Sequence, residues 1–225
     1  MKTFDEYVAI AGKAHGHICA GQILGLRLAV YGMKLLGLDD PAGTQRKRLV
    51  TYVEIDRCAT DAVTVVTGCR LGKRSLKFRD FGKVAATFCD LQEKRAVRVV
   101  ALETSKQKAR EMYPEIADRN QQQMKAYREM PETDLFTHTW VRVRVGPEDL
   151  PGYKAPRVSC DICGEGISFG KEVTWEGLEL FMKQRKTELP SAQVSPELLE
   201  CLKARTAPFA LCRACAGERY WEPCD

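Results

Sequence analysis

The chain has 225 residues, 44% of them hydrophobic and 29% charged, which suits one large domain, or one domain with a small module, of ordinary globular composition. Its 35 basic and 30 acidic residues leave a net charge of +5, too mild to argue for nucleic acid as a partner. No run of about 18 or more uncharged apolar residues occurs, since the best stretch, 18–38, carries Arg27 and Lys34. Asp5 and Glu6 near the start do not read as a signal peptide, so a cytoplasmic protein without a membrane span is expected.

In chain order, residues 4–13 read as a short amphipathic helix. Residues 19–37 follow as a second helix, with Ile23, Leu24, Leu28, Val30, Tyr31, Leu35 and Leu36 near a helical period and Gly37 as its stop. "RLVTYVEIDR" alternates and is rich in β-branched residues, so a strand is expected there. "CATDAVTVVTG" predicts a helix starting at Cys58 and ending at Gly68. "SLKFRD", "GKVAATFCD" and "RAVRVVALE" then suggest an antiparallel meander. Residues 103–130 are helical by composition, interrupted at Pro114, and "FTHTWVRVRV" alternates as a strand. "GPEDLPGYKAPR" holds three prolines and two glycines and marks the domain boundary. Helices and strands segregate more than they alternate. The fold class is therefore α+β: a core domain over 1–150 with an antiparallel sheet and packed helices, and a small cysteine module over 157–225.

Ten cysteines in a chain without secretion signals point to metal ligands or reactive thiols rather than disulfides. They form two groups, Cys19, Cys58, Cys69 and Cys89, then Cys160, Cys163, Cys201, Cys212, Cys215 and Cys224. "CDIC" (160–163) and "CRAC" (212–215) are C-x-x-C pairs whose thiolates can meet one tetrahedral ion, with Gly164 and Gly166 suited to the turn. Cys160, Cys163, Cys212 and Cys215 are the expected ligands of a structural zinc, with Cys201 and Cys224 as the substitutes. A segment at about 178–206, framed by Pro190 and Pro196, reads as an insertion between the pairs. The tail is similar to the zinc fingers of DksA/TraR-type regulators and to treble-clef modules, where the second pair starts a terminal helix.

"AHGHICAGQ" places His15, His17 and Cys19 at alternate positions, and the chain has only three histidines. With the long helix starting near Ala20, Cys19 falls at its N-cap, where free N–H groups and the helix dipole favour a thiolate. His17 in extended backbone projects to the same side as Cys19. The plain alternative is two surface histidines and a buried cysteine.

The blocks "HGHICAG", "CATDAVTVVTGC" and "LGK…DFGKVAATF", in this order across residues 12–90, resemble the FmdE family of formylmethanofuran dehydrogenase proteins, part of which carries a C-terminal four-cysteine finger. The resemblance implies an α+β core with a His/Cys metal site, often zinc, in a cleft, and a homodimer. The apolar breadth of helix 19–37 points the same way on the homodimer. The motif positions are His15, His17, Cys19, Cys58, Asp61 and Cys69. The family usually has proline after the first cysteine, where this chain has Ala20, which still permits the helix start.

One metal ion held by His17, Cys19 and Cys58 is then expected in the core, with Cys69 or His15 as the additional ligand. Both thiols sit at helix starts that favour thiolates before metal arrives, and Phe78 and Phe81 are expected to dry the cleft. The function implied is that of a zinc-binding accessory protein or component of a molybdenum or tungsten formylmethanofuran (or formate-type) oxidoreductase, with other oxidoreductase subunits as partners. The chain has no dinucleotide fingerprint and no ferredoxin-like cysteine run of its own. Two alternatives differ in class. One is a free-standing zinc enzyme in which His15 or Asp61 moves protons. The other is a zinc-finger transcriptional regulator.

Overall fold

Thr3 and Glu6 cap each other's backbone N–H groups at 3.3 and 2.7 Å, and this reciprocal box starts helix α1 (Phe4–His15). The computed structural model of the chain describes residues 1–174, 204 and 209–218. They fall into two units, Met1–Gly152 and Tyr153–Asp225. Cys201, Cys224 and most of the expected insertion lie outside the described residues.

In the first unit α1 is followed by α2 (Ala20–Leu36), β1 (Leu49–Val53), α3 (Cys58–Thr67), β2 (Leu76–Phe78), β3 (Ala85–Asp90) and β4 (Arg95–Ala101). Helices α4 (Thr104–Met112), α5 (Arg119–Glu129) and α6 (Glu132–Leu135) lead into β5 (Phe136–Val141). The five strands form one sheet in the order β2-β1-β3-β4-β5, with helices packed on it, so the α+β class holds. α2 stops where predicted, at Gly37 with φ 68°, and the helical run 103–130 is broken at Tyr113 and Pro114 into α4 and α5.

The meander needs correcting. β2 does not pair with β3; it lies parallel to β1, Thr51 opposite Leu76, and β1 pairs antiparallel with β3, Thr51 opposite Phe88. Parallel neighbours need a crossover, and α3 is that crossover, so β1, α3 and β2 form one unit grafted onto an antiparallel sheet. β5 also ends at Val141, short of the alternating run's end, and after Phe136 its residues through Trp140 are exposed because it is an edge strand.

The core sits between the sheet and α2. Ile23, Leu26, Leu28, Ala29, Met33 and Leu36 are all at most 1% exposed, and full burial stabilises by about 2 kcal/mol for each large side chain among them. α2 packs against α1, α3, α5, β3 and β4, so its broad apolar surface is used up inside this unit. It therefore does not by itself call for a second copy. Two glycines make the packing possible. A Cβ at Gly32 would lie 2.3 Å from the Phe88 ring, and one at Gly25 would lie 2.5 Å from the Ala59 carbonyl oxygen.

This packing also fixes direction. The Arg95 guanidinium donates to the Leu36 carbonyl, so the C-terminus of α2 lies where β4 starts. Arg95 is paired with Asp90, and Asp90 with Leu49, so this is also where β1 starts. The N-terminus of α2 therefore reaches the opposite end of the sheet, where β1 and β2 finish and α3 begins.

The second unit starts with a hairpin of β6 (Val158–Ser159) and β7 (Gly166–Ile167) around the first C-x-x-C pair, with Gly164 at φ 75°. A bridge from Val173 to Leu211 brings in the second pair, which opens a short helical turn, Ala214–Glu218. Cys160, Ile167, Phe209, Leu211 and Ala216 make its small core.

Candidate metal centres

α1 ends at Gly16 (φ 89°), and three residues later Cys19 takes the N-cap of α2 in extended backbone, φ −136° and ψ 167°. Serine or aspartate would bond its own helix from that position, but the Cys19 side chain makes no such bond. The Ala20 N–H donates to Asn120 Oδ1 at 2.8 Å. The thiol is left to face Cys58, the first residue of α3, close enough to raise its pKa. Gly21 lets the two sulfurs approach: a Cβ there would stand 3.4 Å from Cys58 Cβ and 3.8 Å from Cys19 Sγ.

The approach to α3 is held from below. The Glu54 carbonyl at the end of β1 accepts from Phe81 N and Lys83 N at 3.1 Å each, and its carboxylate takes the Arg98 fork at 2.7 and 2.6 Å. The Thr60 hydroxyl closes the turn onto the Ile55 carbonyl.

One helical turn after Cys58, Asp61 Oδ2 contacts His15 Nδ1 at 2.9 Å, and the rings of His15 and His17 lie 4.9 Å apart, tilted by 48°. Contacts thus run His17–His15–Asp61 on one side and Cys19–Cys58 on the other, with Asp61 and Cys58 joined through α3. Cys19 and Cys58 are half-buried, whereas His17 and Asp61 are exposed.

Three expectations change here. Cys69 follows the far end of α3, so about ten residues of helical rise, roughly 15 Å, separate it from Cys58. Its thiol is 1% exposed, accepts from Thr51 Oγ1 and donates to the Leu49 carbonyl, which makes it a core residue away from this cluster. The Cys58 thiol is not predisposed to ionise: burial pushes its pKa up, and the hydrogen bond and charge of Cys19 push it further the same way. Phe78 and Phe81 are 41% and 63% exposed, so they do not dry a cleft.

The tail quartet is more closely gathered. The sulfurs of Cys160, Cys163, Cys212 and Cys215 all lie within 4.8 Å of one another, the one set of three or more such ligand atoms so drawn together among the described residues. Cys163 and Cys212 are 3.8 Å apart. Four sulfurs at about 2.3 Å from a central ion stand about 3.8 Å apart along a tetrahedron's edges, so the site fits a tetrahedral metal. Burial would raise the Cys160 thiol, but the N–H groups of Cys163, Cys212 and Ile162 overcome it and bring the pKa down to about 6. Burial and the hydrogen bonds of the other three thiols push Cys215 up. One sulfur is therefore disposed toward the thiolate, and a bound ion would supply the charge that ionises the rest.

An α+β core with paired thiols at two helix starts and a carboxylate-held histidine beside them, followed by a separate four-cysteine cluster, defines a class of cysteine-rich protein able to bind metal. The chain belongs to the FmdE family, described as "Molybdenum formylmethanofuran dehydrogenase operon", which matches residues 14–137. A protein of Archaeoglobus fulgidus, described as a probable S-adenosyl-L-methionine-binding protein, is 30% identical over 222 residues, 93% of this chain and 52% of that one. The chain thus spans about half the length of this curated relative. An FmdE-like protein of tungsten formylmethanofuran dehydrogenase type from Syntrophus aciditrophicus shares the fold, with a TM-score of 0.54, 21% identity and coverage of 74% of this chain and 86% of that one. No helix among the described residues is long and apolar enough to cross a membrane.

Two structural side chains escaped the sequence reading. The Arg27 guanidinium caps the C-terminal end of α5 by donating to the carbonyls of Tyr127, Arg128 and Met130 at 2.8–2.9 Å, and Asn120 caps α2. Both are tertiary contacts spanning about a hundred residues, and no local pattern announces them.

Proposed function

We propose that the chain is a zinc-binding protein with two metal sites, serving as an accessory or subunit-like component beside an oxidoreductase of one-carbon or formate-type chemistry. The observation that carries the core site is the meeting of Cys19 and Cys58 next to a His15 whose Nδ1 is held by Asp61 at 2.9 Å. A carboxylate on one ring nitrogen is how ligating imidazoles are commonly oriented, because it fixes the tautomer and leaves Nε2 for the ion. Cys19, Cys58, His15 and His17 then form a mixed thiolate and imidazole set that suits Zn²⁺. His15 replaces Cys69 as the additional ligand. The tail quartet supports a structural zinc in a treble-clef arrangement. The free thiols of both groups fit the reducing cytoplasm.

A bound ion would supply Lewis acidity and a polarised water at any position the protein leaves open. The chain's own part would be to present the two thiols from rigid helix starts and to keep His15 and Asp61 beside them as a proton-handling pair. That pair also favours the second reading, a free-standing zinc enzyme, since a carboxylate-held imidazole is a general-base arrangement.

The test is metal stoichiometry of the full chain. Wild type is expected to hold two zinc equivalents, Cys58→Ser one, and Cys160→Ser one. A wild type that holds a single equivalent, unchanged by Cys58→Ser, would overturn the core site. The family resemblance also supports a homodimer, so light scattering is expected to give about twice the chain mass of 25.3 kDa at micromolar concentration, and a 25.3 kDa particle would count against it.

A further inference from the structure

α2 and α5 are tied to each other at their starts and again seven residues along. Asn120 Oδ1 accepts from Ala20 N at 2.8 Å where the two helices start, and Arg27 donates to Tyr127 O at 2.9 Å further along. Seven residues separate Ala20 from Arg27 and seven separate Asn120 from Tyr127. At about 1.5 Å per residue both steps rise about 10 Å, so the two helices run in the same direction in a register that the two ties share. The start of α5 is fixed as well: Asp118 caps it through Gln121 N at 2.7 Å, and buried Gln122 donates to the carbonyls of Tyr113 and Ile116. The Asn120 amide is therefore delivered to the first N–H of α2 by a braced helix.

We propose that Asn120 is a positioning residue for the core site: by accepting the first N–H of α2 it fixes the backbone at Cys19 and Ala20 and so holds the Cys19 thiol where it faces Cys58. This rests on the proposed core metal, but the positioning itself needs no ion. Helix N-termini leave several N–H groups without partners, and the first of them lies out of reach of the N-cap's own side chain, so an acceptor from another element is what ties it down. The Cys19 side chain makes no cap bond of its own and stands beside Cys58 at the face opened by Gly21. Without the amide, the start of α2 loses its tie to α5 and Cys19 is no longer held against Cys58.

The experiment compares wild type, Asn120→Ala and Asn120→Asp as full-length protein. Asn120→Asp keeps an oxygen that accepts the same hydrogen bond. The first readout uses metal-free protein under mild oxidation, with the Cys19–Cys58 cross-link quantified by peptide mass. Asn120→Ala is expected to lower its yield severalfold and Asn120→Asp to restore it. The second readout is Zn²⁺ affinity in the Cys160→Ser background, where Asn120→Ala is expected to weaken core binding about tenfold, as loss of a group that orients a ligand does. An unchanged cross-link yield in Asn120→Ala, or no rescue by Asn120→Asp, overturns the proposal. A cross-link that responds while wild type binds no core zinc keeps the positioning role and removes the metal reading alone.

Discussion

Cys160→Ser should leave the chain beyond Pro156 open to protease while the unit Met1–Gly152 stays resistant, and a chelator should do the same to wild type. Cys160 is 2% exposed at the centre of the small tail core, and its sulfur accepts from Cys212 N at 3.3 Å. Among the described residues the strands there are two residues each and the buried apolar core has five members, little to set against the entropy of ordering the segment. Metal–thiolate bonding would supply what is missing, on the order of 10 kcal/mol or more in small zinc modules. Time-resolved proteolysis with mass mapping reads this directly. Equal resistance of mutant and wild-type tails would mean that the module folds without its ion.

Gly25→Ala should destabilise the first unit by about 3 kcal/mol, at the upper end for overpacking a core. The added methyl would stand 2.5 Å from Ala59 O, 2.6 Å from Ala59 Cα and 2.9 Å from Ala62 Cβ. None of these atoms ends a flexible side chain, so the clash cannot be relieved by rotamer change and α3 must move off α2. Ala59 follows Cys58, so the same displacement would draw the two thiols apart and weaken the proposed core zinc site. Gly72→Ala is the control, because nothing lies within 4 Å of its added methyl. Urea midpoints of the two variants give the comparison, and a Gly25→Ala midpoint equal to that of Gly72→Ala would show that the α2–α3 contact is looser than these distances.

How much of this was legible in the residues follows the range of the forces involved. α2, its stop at Gly37, α3 starting at Cys58 and the break near Pro114 were readable because periodicity, helix stops and proline act within a turn or two. The four tail ligands were readable for the same reason: a two-residue spacer nearly determines where its thiols point, and their gathering within 4.8 Å only joined two local motifs. The capacity of the tail for a metal was legible in composition, since cysteines in such numbers and pairs have few other uses.

Only the tertiary structure decided whether Cys69 stands with Cys19 and Cys58. Cys58 was expected beside Cys19 from the sequence and Cys69 was open as a further ligand, but the two lie at opposite ends of one helix, and α3 packs against α2 at Gly21 and Gly25, bringing Cys58 alone to the site. The parallel pairing of β2 with β1 was equally hidden, because alternation tells which face a side chain takes but not which neighbour the strand finds. The exposure of Phe78 and Phe81, the upward push on the Cys58 thiol and the Asn120 cap on α2 depend on what long-range packing places nearby. Burial and hydrogen-bond partners belong to the assembled fold, so these properties had no local signature to read.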